Sequence, residues 1–171
     1  MKLILLRHGP AGDRKVFAKT GQDDSLRPLT VEGHKKMKIA ARGLRKVCGS
    51  VDLLATSPYI RATRTAEIIY AAYNDKPQFV ELPLLAGGHL PHPLLEWFRH
   101  NDLDAATVLL VGHEPSLSRL AGWLTTGHEK SFVTLKKGAA CVIDFPKSLA
   151  AGKGVLAGLY QPRDLRRLGA K

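Results

Sequence analysis

A chain of 171 residues, 44% apolar and 24% charged, has the size and make-up of one soluble domain on one hydrophobic core, which excludes two independent domains. No apolar run is long enough to span a bilayer, and Cys48 and Cys141 stand too far apart for a C-x-x-C pair, so buried thiols are expected rather than a disulfide scaffold or zinc site. The 26 Lys and Arg against 15 Asp and Glu leave a formal charge of +11, which implies an anionic substrate or an acidic partner.

Residues 2–6 read as a buried strand ending in the polar turn Arg7-His8-Gly9-Pro10. The run is too short for a signal peptide and has no small-residue cleavage site, so a cytoplasmic protein is expected. Residues 11–29 carry Gly, Asp, Lys and Pro without periodicity and read as a long loop of the kind kept for function. A helix follows at about residues 30–48, with Thr30 as N-cap, Met37, Ala40, Ala41, Leu44 and Val47 on its inner face, and Gly49 as its stop. Its Lys35, Lys36, Lys38, Arg42, Arg45 and Lys46 read as a solvated face.

Residues 51–56 read as a second strand, and Ser57-Pro58 as N-cap and first-turn proline of a helix carrying Ala62, Ala66, Ile69 and Tyr73. Further strands are expected at residues 79–82, 107–111, 139–145 and 155–160, and helices at 94–100 and 116–124. Trp97 and Trp123 read as core or groove residues, since neither belongs to an interleaved basic and aromatic pattern. Strands alternating with helices give an α/β fold, a mostly parallel sheet with helices on both faces and some antiparallel pairing near the C-terminus. Without repeats or linkers, residues 1–171 are expected to form a single domain.

Three strand ends then present Arg7-His8, Ser57-Pro58 leading to Arg61, and His113, and open α/β sheets bind ligands outside the carboxyl ends of their strands. Arginine forks match phosphate oxygens, and an unprotonated imidazole among them can act as a nucleophile. The motifs Arg7-His8-Gly9, Ser57-Pro58-x-x-Arg61-Ala62-x-x-Thr65-Ala66 and Gly112-His113-x-Pro115, in this order, resemble the signatures of the histidine phosphatase superfamily, which has a phosphoglycerate mutase-like fold. The stretch Asp24-Ser25-Leu26-Arg27-Pro28-Leu29-Thr30, Gly33 and the C-terminal Pro162-Arg163-Asp164-Leu165 resemble its compact SixA-like phosphohistidine phosphatase branch. The resemblance implies that His8 accepts the phosphoryl group while Arg7, Arg61 and His113 hold its oxygens, without metal or organic cofactor.

Ester-cleaving relatives carry a glutamate after the third strand, where this chain has Leu82-Pro83-Leu84-Leu85-Ala86-Gly87-Gly88-His89. An alkoxide leaves only with a proton, whereas a phosphorylated imidazole can leave as neutral histidine, so the missing acid suits a phosphohistidine-bearing protein as substrate. Glu81 reads as part of the strand and Glu114 as a helix-start glutamate. Asp24 is the candidate for any remaining acid or orienting role, and as an acid it would need a raised pKa. His89 and His92 flank Pro91 and could touch a metal, but the preferred reading places them on the pocket rim. A monomer with no membrane or stable nucleic-acid partner is expected. The competing readings are a phosphatase or mutase of small phosphate esters, a basic nucleic-acid-binding module, and a silent phosphate sensor.

Overall fold

Leu3, Ile4, Leu5 and Leu6 are all fully buried, which requires a strand covered on both faces of its sheet. The computed structural model, which describes residues 1–88, 91–101, 103 and 106–170, supplies both covers. Leu3 and Leu5 join one apolar layer with Leu94, Phe98, Leu117 and Leu124. Ile4 and Leu6 join the other with Met37, Leu44, Ala66, Ile69 and Leu165.

In chain order the elements are β1 (Lys2–Arg7), α1 (Arg14–Ala18), α2 (Val31–Cys48), β2 (Leu53–Thr56), α3 (Ile60–Ala72), β3 (Gln78–Glu81), α4 (Pro91–His100), β4 (Thr107–Gly112), α5 (Ser116–Thr126), β5 (Ala140–Asp144), β6 (Val155–Tyr160) and α6 (Pro162–Gly169). Their order in the sheet is β3-β2-β4-β1-β5-β6. The first four pair in parallel, while β5 and β6 add on antiparallel. This is the α/β architecture expected, with α4 and α5 on one face and α2, α3 and α6 on the other.

The register of the parallel strands positions the site. Arg7 pairs with Gly112 and Thr56 with Val111, so β1 and β4 end level and β2 ends within one residue of them. The next residues, His8, His113 and Ser57, therefore emerge side by side. Backbone bonds from His8 N to Gly112 O (3.0 Å) and from Ser57 N to Val111 O (2.9 Å) hold the alignment past the strand ends.

Several expected boundaries shift by one to three residues, and three features differ in kind. Residues 11–29 are not all loop: α1 and a 3₁₀ turn at Asp24–Leu26 lie within them, capped by the side chains of Asp13 and Asp23. α3 begins at Ile60, not at Pro58, and Ser57 is not its N-cap. A sixth helix, α6, follows β6, with Pro162 at its first position and a reciprocal Gln161–Asp164 capping box.

Both cysteines are buried free thiols, and burial pushes them up to about 11 (Cys48) and about 12 (Cys141). Trp123 is a core residue and Trp97 packs half-buried against the same layer. Among the described residues no helix is long and apolar enough to cross a membrane.

α6 docks on α2 through a close backbone approach. A Cβ on Gly43 would overlap the carbonyl oxygen of Leu165, and one on Gly169 that of Ile39. The contact also gives work to cations that the sequence assigns to a solvated face. Arg42 donates to Gly169 O (3.0 Å) and Lys46 to Leu168 O (3.2 Å), placing positive charge at the carbonyl end of α6, while Arg45 donates to Ala72 O (3.0 Å) at the end of α3. Gly43→Ala should therefore lower stability by roughly 1–3 kcal/mol, as overpacking of a tight contact does, read from urea unfolding. An unchanged midpoint would show that α6 is not held through this approach.

Candidate active site

His8 follows β1 and is 4% exposed. Its Nδ1 lies 2.7 Å from the Gly9 carbonyl oxygen, which can only accept, so Nδ1–H donates there and the lone pair stands on Nε2. Burial foremost, then the charges of His113, Arg61 and Arg7, lower its pKa to about 3 against the raising effect of the Gly9 bond. The ring is neutral and nucleophilic at physiological pH. Gly9 N donates in turn to Thr65 Oγ1 (2.9 Å), whose hydroxyl donates to Arg61 O (2.7 Å), fixing the His8 turn to the first turns of α3.

His113 follows β4, with its ring 5.1 Å from that of His8. Its Nε2 lies 2.8 Å from Ser57 Oγ, which already accepts the Tyr59 N–H at 3.3 Å. With the serine proton donated to Nε2, the ring proton sits on Nδ1. Burial, followed by Arg61 and Arg7, lowers the His113 pKa to about 4. Ser57 is thus a positioning group for a ring, and its engagement with His113 explains why it does not cap α3.

Among the described residues Arg7 Nε, Arg61 Nε and His113 Nδ1 are buried without a hydrogen-bond partner. The side chains that carry them line one cleft of about 560 Å³ together with His8. Its two arginines give the cleft a charge complementary to a tetrahedral oxyanion. Arg7 Nη1 is anchored by Leu135 O (2.7 Å), and Leu135 N donates to Glu114 Oε1 (3.0 Å). Tyr59 forms a wall, its ring 4.9 Å from that of His113 and its centroid 4.8 Å from the Arg61 guanidinium carbon.

The structure brings all five sequence candidates, Arg7, His8, Asp24, Arg61 and His113, to this cleft. Asp24 differs from expectation in its charge state. It accepts from Arg27 Nε (2.8 Å) and pairs with Arg61 Nη2 (3.0 Å), while its carbonyl accepts from Arg61 Nη1 (2.6 Å). The Arg27 bond foremost, aided by Arg61 and opposed by burial, holds its carboxyl below the usual range. A proton donor needs the opposite shift, so the geometry supports the orienting role of Asp24 and not the acid role.

The other carboxylates lining the cleft are also committed as acceptors. Asp13 Oδ1 caps Val16 N (2.9 Å) and Asp23 Oδ1 caps Ser25 N (2.8 Å). Glu114 accepts from the Ser118 N–H (3.3 Å) and Oγ (2.6 Å) in the first turn of α5, the helix-start position expected, and its other oxygen ties Leu135 N of a distant loop. Glu81 is exposed at the end of β3 and does not line the cleft. His92 sits in α4, edge-on to Trp123 and not on the cleft rim, while His89 lies outside the described residues. Among the described residues no three His, Cys, Asp or Glu side chains converge as metal ligands.

Sequence reasoning missed Ser57 as partner of His113, Tyr59 as wall, Lys137 on the rim, and Arg27 as clamp of Asp24. The Asp24/Arg27 spacing of three was a readable signal for the clamp. Nothing local marked Lys137, which reaches the cleft from the far end of the chain.

Comparisons with known proteins bear on the family and the fold. The profile of the histidine phosphatase superfamily (branch 1) matches residues 3–85. An uncharacterized protein of the cyanobacterium Picosynechococcus is 35% identical over 138 residues, 80% of this chain and 81% of that one. The phosphohistidine phosphatase SixA of Escherichia coli is 26% identical over 169 residues, 97% of each chain. The solved structure of the protein histidine phosphatase SixA complexed with tungstate superposes with a TM-score of 0.80 at 24% identity, covering 96% of this chain and 99% of that one.

Two buried neutral imidazoles carry a pH signature. Their folded pKa values, about 3 and about 4, lie below the usual 6.5, so between these limits the unfolded chain binds the extra protons. Their contribution to stability is complete above pH 6.5 and lost as pH falls toward 4. The urea midpoint should decline over that window in the wild type and more shallowly in His8→Asn. Parallel curves would show that His8 is not buried neutral.

Proposed function

Because the chain belongs to the histidine phosphatase superfamily, within its SixA-like branch, we propose that it removes the phosphoryl group from phosphohistidine on a protein, through a covalent intermediate on His8. The observation that carries this reading is that, among the described residues, every carboxylate lining the cleft, those of Asp13, Asp23, Asp24 and Glu114, already serves as a hydrogen-bond acceptor.

The proton balance favours a phosphorylated imidazole. His8 Nε2 attacks phosphorus with its lone pair while Nδ1–H stays on the Gly9 carbonyl. The P–N bond of the substrate breaks, and its electron pair returns to an imidazole whose other nitrogen keeps its proton. That ring leaves neutral, and the positive charge passes to phospho-His8. No proton has to move. Water then attacks the phosphorus, the pair returns to Nε2, and dihydrogen phosphate leaves with both water protons. An alkyl ester would instead expel an alkoxide, for which no donor stands ready.

The remaining residues act electrostatically. Arg7, Arg61 and His113 Nδ1–H hold the phosphoryl oxygens, and Asp24 fixes the Arg61 fork from behind. The whole chain would work as a monomeric single domain in the cytoplasm, where histidine phosphorylation of proteins serves signalling.

The test compares turnover of a phosphohistidine protein with a series of aryl and alkyl phosphates. Alkyl phosphates should be slower by roughly a hundredfold or more, the usual contribution of a general acid. Asp24→Asn should cost the same factor across the series. Efficient alkyl hydrolysis would contradict the acid-free site and move the protein to ester substrates, and a loss in Asp24→Asn that grows with leaving-group basicity would restore Asp24 as an acid.

A further inference from the structure

Beside the cleft runs a second concavity, between the N-terminal halves of α2 and α3, with a volume of about 710 Å³. The buried stripe of α2 is Gly33, Met37, Ala40, Ala41 and Leu44, so Val31, His34, Lys35 and Lys38 form its outward stripe at helical spacing. Val31 is 76% exposed at the start of that stripe. Opposite it stand Ile60 and Arg64 of α3, with Leu29 between the two helices.

This groove shares a wall with the catalytic cleft. Asp24 and Arg27 line the cleft, and the next residues, Pro28 and Leu29, line the groove. Ile60 directly precedes Arg61. A segment lying in the groove is therefore one wall away from the phosphoryl site.

Its chemistry is cationic with apolar insets. Among the described residues Lys35 and Lys38 form no ion pair. The carboxylate among the lining residues, Glu67, is held by Arg64 at 2.7 Å. Among the described residues no Phe, Tyr or Trp lines the groove, so it offers no stacking platform for bases. An acidic segment with apolar residues at helical spacing matches both features: its carboxylates meet Lys35 and Lys38, and its apolar side covers Val31, Leu29 and Ile60.

We propose that the groove between α2 and α3 docks an acidic, amphipathic segment of the phosphoprotein substrate, flanking the phosphorylated histidine. This rests on the phosphohistidine-protein reading above. It gives the basic charge of the chain a place and a purpose, since steering by complementary charge raises encounter rates and selects partners.

The experiment uses three probes phosphorylated with phosphoramidate: free histidine, and two single-histidine peptides of equal length, one flanked by Glu and Leu, the other by Lys and Leu. The wild type should favour the acidic peptide by about tenfold in kcat/KM at low salt, a preference that fades as salt rises. Lys35→Glu/Lys38→Glu should reverse the preference through KM and leave turnover of free phosphohistidine unchanged, which also reports an intact fold. Equal turnover of both peptides by the wild type, or a preference that survives the double substitution, overturns the docking groove and leaves the catalytic reading standing. Failure of the wild type on all three probes overturns the catalytic reading and the groove with it. Loss of duplex DNA binding in the double variant, with the peptide preference intact, assigns the groove to nucleic acid and overturns the proposal.

Discussion

Burying positive charge without enough anions to neutralise it is expensive, and the cleft is built around that imbalance. Arg61 is 5% exposed and Arg27 7%, and both lean on the single carboxylate of Asp24. Arg7 has only a carbonyl and, through the Leu135 peptide, Glu114. The same field, added to burial, keeps His8 and His113 neutral. What would cost least in this cleft is a bound dianion set against the charges of Arg7 and Arg61. Neutral His8 is a nucleophile foremost because burial takes its ring out of water, and Asp24 is a poor acid because Arg27 and Arg61 hold it ionised.

The rest of the fold holds that arrangement in place. A cleft of unsatisfied donors contributes nothing to stability, so the two apolar layers about β1 must carry it. Parallel pairing of β1, β4 and β2 brings His8, His113 and Ser57 out side by side, with the His8 and Ser57 backbones tied to Gly112 O and Val111 O of β4. α6, clasped to α2 through Gly43 and Gly169, braces the helix whose outer face lines the basic groove.

Much of this was legible in the sequence where a single physical demand selected the residues. The continuous run at Leu3–Leu6 read as a buried strand, and polar motifs at three strand ends pointed to the cleft. Cys48 and Cys141 read as buried thiols from their apolar surroundings. Residues serving two demands were harder. Ser57 before Pro58 has the pattern of a helix cap, and only the three-dimensional register shows that His113 claims its hydroxyl. Asp24 was placed correctly, but its charge state depends on Arg27 and Arg61 reaching it together. Glu114 and Lys137 meet the site through a loop far along the chain, which no local pattern encodes. The capping box and proline of α6 were present in Gln161-Pro162-Arg163-Asp164 and could have been read as a helix start.

The central claim is that His8 Nε2 carries the phosphoryl group. The most direct measurement is rapid quenching of the enzyme during turnover of a substrate labelled in its phosphoryl group, with the trapped protein tested for acid and alkali stability. The account predicts label that is lost in acid, kept in alkali and absent from His8→Ala. Label trapped on His8→Ala at the wild-type level, or label stable to acid, would contradict it.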